Sequence, residues 1–130
     1  MSALIVGIGA RAPLGMSALQ VAMSVRARLD ALRETGLRDL RGRGAGLFTT
    51  PGIDDRVCGP ERFERLGAPA LRAASAGHVG GALPLFLALP GPGRPDDDLR
   101  APEQICAALG ARAGVAIDSA RSLVIRQGHA

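Results

Sequence analysis

A chain of 130 residues, 47% hydrophobic and 22% charged, is long enough for one domain with a hydrophobic core and too short for two ordinary domains. This composition excludes an intrinsically disordered chain, and no apolar run approaches the about 20 residues that span a bilayer. The net charge of +4 combines 16 basic residues, all of them Arg, with 12 interspersed acidic residues. We therefore expect no nucleic-acid partner and no membrane insertion.

The cysteines and the N-terminus indicate a reducing compartment. Cys58 and Cys106 stand far apart and belong to no Cys-x-x-Cys or Cys/His cluster, so neither a zinc site nor a disulfide framework is predicted. The N-terminus lacks the basic region of a signal peptide. We expect a cytoplasmic protein, and the Arg-rich, Lys-free composition is typical of a GC-rich bacterial genome.

The first half of the chain predicts a strand, a helix and a second strand. Residues 3–7 form a short apolar run with β-branched side chains, typical of a buried strand. Ser17, followed three residues later by Gln20, forms a capping box that starts an amphipathic helix. Residues 35–36 (Thr-Gly) are predicted to end that helix, and residues 46–50 to form the second strand.

The second half continues the alternation. A helix is predicted from Pro60 to Ala74, with a kink or a split at Pro69. A fully buried strand over residues 83–89, a helix from Pro102 to Ala113 and a final strand over residues 122–127 follow. The order β-α-β-α-β-α-β predicts one α/β domain over residues 1–130, with a mainly parallel sheet.

The Gly7-x-Gly9 turn at the end of the first strand allows two interpretations. A dinucleotide-binding fold would start its helix at the second glycine, so that the first amides face a pyrophosphate. Pro13 and the Ser17 cap delay the helix, and Asp30, which has the spacing of a ribose-binding acid, falls inside the predicted helix. A nucleotide-binding domain is therefore the weaker alternative.

The second interpretation rests on a longer pattern. Residues 6–9 (Val-Gly-Ile-Gly) and 13–15 (Pro-Leu-Gly), followed by an amphipathic helix, resemble the opening of β-ketoacyl-acyl-carrier-protein synthases of the thiolase-like superfamily. Residues 62–74 resemble a helix of that family, and residues 83–89 stand where it has an apolar central strand. Val6 departs from the pattern, because the family usually has Thr before the first glycine.

The resemblance implies a thiolase-like fold and an acyltransferase activity, the decarboxylative Claisen condensation of acyl-carrier-protein thioesters. It implies a carrier-protein partner, a homo- or heterodimer, a Cys nucleophile at a strand-to-helix turn, and catalytic His residues in the family's C-terminal half. Neither Cys58 nor Cys106 stands at such a turn, and His129 falls near the expected nucleophile position. We therefore assign no catalytic, cofactor or metal residues. The chain is either a truncated piece of such an enzyme or a non-catalytic scaffold or partner subunit.

Three further groups are predicted to lie on the surface. His78 stands in a Gly-rich segment and is expected in a solvated loop. The run Asp96, Asp97 and Asp98 lacks the glycine and distal Glu of a calcium loop and is expected to lead into a helix. Residues 41–44 (Arg-Gly-Arg-Gly) have no neighbouring aromatic residues to stack on bases and are expected to form a surface loop.

Overall fold

The computed structural model describes residues 5, 7–54, 56–89 and 102–126 of the chain. Among these residues it combines α-helices with two small β-sheets, which agrees with the predicted α/β class in general. In chain order the elements are α1 (Ala18–Arg26), β1 (Leu32–Arg38), β2 (Gly44–Phe48), α2 (Gly59–Ser75), β3 (Phe86–Leu89), α3 (Pro102–Ala113), a short 3₁₀ turn (Ser119–Arg121) and β4 (Leu123–Arg126).

Helix α1 starts where the capping box predicts. The Ser17 hydroxyl accepts a hydrogen bond from the backbone N–H of Gln20 at 3.3 Å. Gln20 Oε1 in turn accepts a hydrogen bond from the N–H of Met16 at 2.8 Å, one residue before the N-cap N–H that a capping box would use. Two N–H groups that the helix itself cannot pair are thus satisfied by side chains.

The same helix ends at Arg26, so the prediction that it runs to residues 35–36 is wrong. Arg28 adopts a left-handed conformation with φ of 54°. Its N–H donates to the carbonyl of Val25, and the N–H of Leu29 donates to the carbonyl of Ser24, both at 3.0 Å. This pair of bonds is a Schellman motif, which terminates a helix and usually places glycine where Arg28 stands. With no glycine there, the sequence did not signal the stop.

The residues beyond that stop form a β-hairpin. Strand β1 pairs antiparallel with β2, with Leu32 opposite Phe48 and Glu34 opposite Gly46. Residues 35–36 lie inside β1 rather than at a helix end, and the second strand begins two residues earlier than predicted. A hairpin needs only a short local connection, whereas the predicted parallel pairing would need a crossover.

Asp39 organises the hairpin turn that contains residues 41–44. Its carboxylate accepts hydrogen bonds from the N–H groups of Arg41 and Arg43 at 2.8 and 2.9 Å, and from Arg43 Nε at 2.8 Å. Gly42 supplies the positive φ of 75° that the turn requires. The backbone N–H and then the guanidinium of Arg43 hold the pKa of Asp39 below its ordinary value of 3.8. The Arg-Gly segment is therefore an exposed turn, as predicted.

The two helices of the second half follow the sequence pattern closely. Helix α3 has the predicted bounds, and α2 is one continuous helix that carries Pro60 in its first turn and passes through Pro69 without splitting. Strands β3 and β4 pair in parallel, with Phe86 opposite Leu123, so β3, α3 and β4 form a parallel crossover unit.

The core of the described residues lies where α2 and α3 pack together. Leu109 of α3 approaches α2 at Gly67, where an added Cβ would lie 3.0 Å from Leu109 Cδ2. Partly buried side chains from α2, from β3 and from the residues just before β3 and just after α3 cover this contact. The buried cluster consists of Ala68, Ile105, Leu109 and Ala113.

Strand β3 departs from the prediction of a fully buried strand over residues 83–89. It begins at Phe86, and Leu83 makes only an isolated parallel bridge with Ile117. Exposure alternates along β3, and Phe86 is 71% exposed while its neighbour Leu87 packs on the core. Within the described ranges the strands form two separate pairs, one antiparallel and one parallel, instead of one mainly parallel sheet.

Several predictions fall on residues outside the described part of the chain. They include most of the first strand (residues 3–7), the acidic run Asp96, Asp97 and Asp98, the last residue of the final strand, and His129.

Candidate functional site

The Gly7-x-Gly9 turn lies against helix α2. An added Cβ on Gly9 would stand 1.8 Å from the carbonyl oxygen of Ala70, and one on Gly7 would stand 2.1 Å from that of Ala74. Real Cβ atoms do not approach oxygen so closely, so only glycine fits at either position. Ala70 and Ala74 are four residues apart and therefore share one face of α2.

The two cysteines lie in different environments. Cys106 is 2% exposed within α3 and packs in the interior. Cys58 is exposed and occupies the N-cap position of α2, where its side chain makes no capping hydrogen bond. Strand β2 ends ten positions earlier, at Phe48, so Cys58 follows a loop and not a tight strand-to-helix turn.

His78 lies in the exposed segment that follows α2, as predicted. Its Nε2 stands 3.1 Å from the carbonyl oxygen of Gly81. Among the described residues, no group of three His, Cys, Asp or Glu side chains is arranged to hold a metal ion.

A cavity of about 270 Å³ opens between the segment that follows β2 and the helices α2 and α3. Gly52 and Ile53 come from that segment, and Ala68 and Pro69 from α2 form an apolar part of the wall. The rest of the lining comes from four arginines. Arg11 lies in the loop before α1, Arg65 and Arg72 lie in α2, and Arg112 lies in α3.

Sequence reasoning missed this cavity, although part of its signal is visible in the chain. Arg65, Ala68, Pro69 and Arg72 have the spacing i, i+3, i+4 and i+7, which places them on one face of a helix. Arg11 comes from a loop far away in sequence, and no local pattern connects it to that face.

Hydrogen bonds anchor two of these arginines to backbone carbonyls. Arg11 Nη2 donates to the carbonyl of Pro51 at 3.0 Å. Arg72 caps the end of α3, since its Nε donates to the carbonyl of Ala113 at 2.9 Å and its Nη2 to that of Arg112 at 2.8 Å. A cation at this position also complements the negative end of the helix dipole.

The other two arginines have carboxylate neighbours. Arg65 donates from both Nε and Nη2 to one carboxylate oxygen of Glu61, one helical turn earlier. Arg112 Nη1 lies 3.6 Å from a carboxylate oxygen of Glu64. The lining therefore includes two arginines with acidic partners and two that are bonded to neutral carbonyls.

No protein-family model, curated protein or solved structure matches this chain. None of the described helices is long and apolar enough to cross a bilayer.

Proposed function

We propose that this chain has the N-terminal architecture of a β-ketoacyl-acyl-carrier-protein synthase-like protein of the thiolase-like superfamily. In this proposal it acts in the bacterial cytoplasm as a non-catalytic scaffold or partner subunit. The observation that carries the proposal is the contact of Gly7 and Gly9 with the backbone of α2. It supports an architectural role for the motif on which the family resemblance rests.

The same contact argues against the nucleotide-binding alternative. The side of the turn where a Cβ would project faces the carbonyl oxygens of Ala70 and Ala74. Carbonyl oxygens carry partial negative charge and would repel a pyrophosphate. Moreover, α1 begins at Ala18, nine positions after Gly9, so its N-terminal amides do not directly follow the turn.

The parallel pair formed by β3 and β4 supports membership in a larger layered sheet. Parallel sheets are normally covered on both faces. Here α2 and α3 cover one face, whereas Phe86, Leu123 and Ile125 leave an apolar surface exposed on the other. A further layer, supplied by a partner subunit or another part of a condensing enzyme, would bury these side chains.

The placement of the cysteines supports a role without catalysis by this chain. An acyl-accepting thiolate must be accessible and held beside groups that activate it. Cys106 is buried. Cys58 is accessible at the N-cap of α2, but it follows a loop and not the tight strand-to-helix turn that carries the family's nucleophile, and its side chain makes no capping hydrogen bond. We propose that neither thiol takes an acyl group from a carrier protein.

Incubation with acyl- and malonyl-loaded carrier protein tests both parts of this proposal. We expect association with the carrier protein or with a second subunit in size-exclusion chromatography, and no acyl adduct by mass spectrometry. An adduct on Cys58 that disappears in Cys58→Ser would overturn the non-catalytic role. A chain that stays monomeric and binds no carrier protein would contradict the scaffold role, and a rise in melting temperature with NAD or NADP would favour the nucleotide-binding alternative.

A further inference from the structure

We propose that the arginine-lined cavity is a binding site for a phosphate group, either inorganic phosphate or the terminal phosphate of a small phosphate ester. Neither cysteine and neither glycine of the Gly7-x-Gly9 turn lines the cavity, and the scaffold role does not require it. Its lining brings guanidinium groups from three separate parts of the chain around one space of about 270 Å³. Guanidinium groups present planar pairs of N–H donors that match phosphate oxygens.

Arg11, which lines the cavity, has one unpaired hydrogen-bond donor. Its Nε is shielded from solvent and has no hydrogen-bond partner among the described residues. The bond from its Nη2 to the carbonyl of Pro51 fixes the orientation of the guanidinium. Buried polar groups are almost always paired in proteins, and an anion would satisfy this donor once a small movement of the cavity lining gives it access to the Nε.

The charge of the lining favours a doubly charged anion. Glu61 pairs with Arg65, and Glu64 lies near Arg112, so these two arginines have acidic neighbours. Arg11 and Arg72, in contrast, have hydrogen bonds to backbone carbonyls. Two positive charges therefore remain without an acidic partner among the described residues. A phosphate dianion balances both, whereas a monocarboxylate balances only one.

The shape of the cavity favours a small or terminal group over a polymer backbone. The arginines share the cavity with the apolar atoms of Ala68, Pro69 and Ile53. A nucleic-acid backbone needs a positively charged surface that follows several successive phosphates. A single recess suits one phosphate, with the apolar wall available to the carbon atoms of an ester.

The first test is an NMR titration of the unmodified protein with sodium phosphate, glycerol phosphate and sodium acetate at equal low ionic strength. We expect the amide resonances of Gly52, Ile53 and Ala68 to shift with both phosphates and much less with acetate. The amides of Gly42 and Gly44 in the hairpin turn should not move. Stronger binding of glycerol phosphate would identify an ester as the ligand, and stronger binding of sodium phosphate would identify the free ion. Equal shifts of the cavity amides and the hairpin-turn amides, or an affinity for acetate equal to that for the phosphates, would overturn the proposal.

The second test compares two variants with the same change in net charge. Arg11→Gln should weaken phosphate binding by about tenfold or more, because a charge-assisted hydrogen bond is lost. Arg33→Gln, on the exposed surface of β1, should change the affinity by less than about twofold, since exposed charges outside the site are screened. Equal losses in the two variants would indicate a nonspecific effect of net charge and overturn the site. A short oligonucleotide without a terminal phosphate that binds as tightly as glycerol phosphate would overturn it as well.

Discussion

The two halves of the molecule are stabilised in different ways. Helices α2 and α3 form a buried cluster that includes Ala68 and Leu109, β3 packs against this cluster, and β4 pairs with β3. Helix α1, in contrast, has no buried residue, and the principal contacts of β1 and β2 are with each other. In the packed half, side-chain burial determines which segments are helices and strands. In the first half, helix caps and turn residues determine where the helix and the strands begin and end.

The close approach of Gly9 to α2 predicts the largest effect of a single substitution. Gly9→Ala would place a methyl group 1.8 Å from the carbonyl oxygen of Ala70. Because a helix backbone cannot move aside cheaply, we expect the free energy of unfolding to fall by about 3 kcal/mol or more. Urea denaturation followed by circular dichroism measures this change.

The matched control is Gly36→Ala in the hairpin. An added Cβ on Gly36 meets nothing within 4 Å. Its effect should stay within about 0.5 kcal/mol, as is usual for surface positions. Equal stability of the two alanine variants would show that the glycine turn does not pack against the backbone of α2.

Truncation of a core leucine should affect the packed half almost as strongly. Leu109 is 2% exposed and lies between α3 and α2, so Leu109→Ala leaves a cavity in the core. We expect a loss of about 3 kcal/mol in the free energy of unfolding. Leu40→Ala, at a fully exposed position in the hairpin turn, should cost less than about 0.5 kcal/mol. Comparable losses at the two positions would remove the distinction between the two halves.

The substitution Arg28→Gly tests where α1 ends, because the sign of its effect on the free energy of unfolding depends on the backbone conformation at this position. Arg28 has a φ of 54°, which costs a residue with a side chain about 1 kcal/mol relative to glycine. Arg28→Gly should therefore raise the free energy of unfolding by about 1 kcal/mol. If the helix instead continued to residue 35, the same substitution would lie in a helix interior and lower it by about 1 kcal/mol.

Arg26→Gly is the control for that experiment. Arg26 is the last residue of α1. A glycine there should destabilise the protein by up to about 1 kcal/mol, whether the helix ends at Arg26 or continues. Opposite signs for the two glycine variants would locate the end of the helix between them.

The extent to which the sequence predicts each half follows from the same physical difference. For α3, apolar residues at helical spacing coincide with positions that are buried, including Ile105 and Leu109, and the predicted bounds hold. For α1, similar spacing continues through Leu29 and Leu32, yet both side chains are exposed. Periodicity without burial does not stabilise a helix, so a Schellman motif at Arg28 ended it and left the next residues free to pair with β2.

The candidate site was predictable only in part for a related reason. The helical spacing of Arg65 and Arg72 is visible in the sequence. Arg11 and Arg112 join them through the packing of distant segments, which no local pattern encodes. The Gly7-x-Gly9 motif is visible in the sequence, but its contact with α2 joins segments that are far apart in the chain, and no local pattern encodes it.

Acidification should destabilise the hairpin more than the packed half, and this is the smallest of the predicted effects. The pKa of Asp39 in the hairpin is lowered chiefly by hydrogen bonds from Arg43, and that of Asp118, in the packed half, chiefly by a hydrogen bond from Arg121. A carboxylate whose pKa is lower in the folded state contributes stability above its unfolded pKa. That contribution is lost as the pH falls from about 3.8 through the lowered value.

Only the hairpin should open measurably in that pH range. Asp39 holds a turn with little buried apolar area behind it. Asp118, in contrast, precedes β4, which is paired with β3, and β3 packs on the core. NMR titration of the Asp39 carboxyl should give a pKa below 3.8, and Arg43→Gln should raise it. Hydrogen exchange of the β1–β2 amides should accelerate on acidification, and Asp39→Asn should remove most of that pH dependence. Equal acceleration in β3 and β4 would show instead that the molecule unfolds as one unit, and that the hairpin has no separate stability.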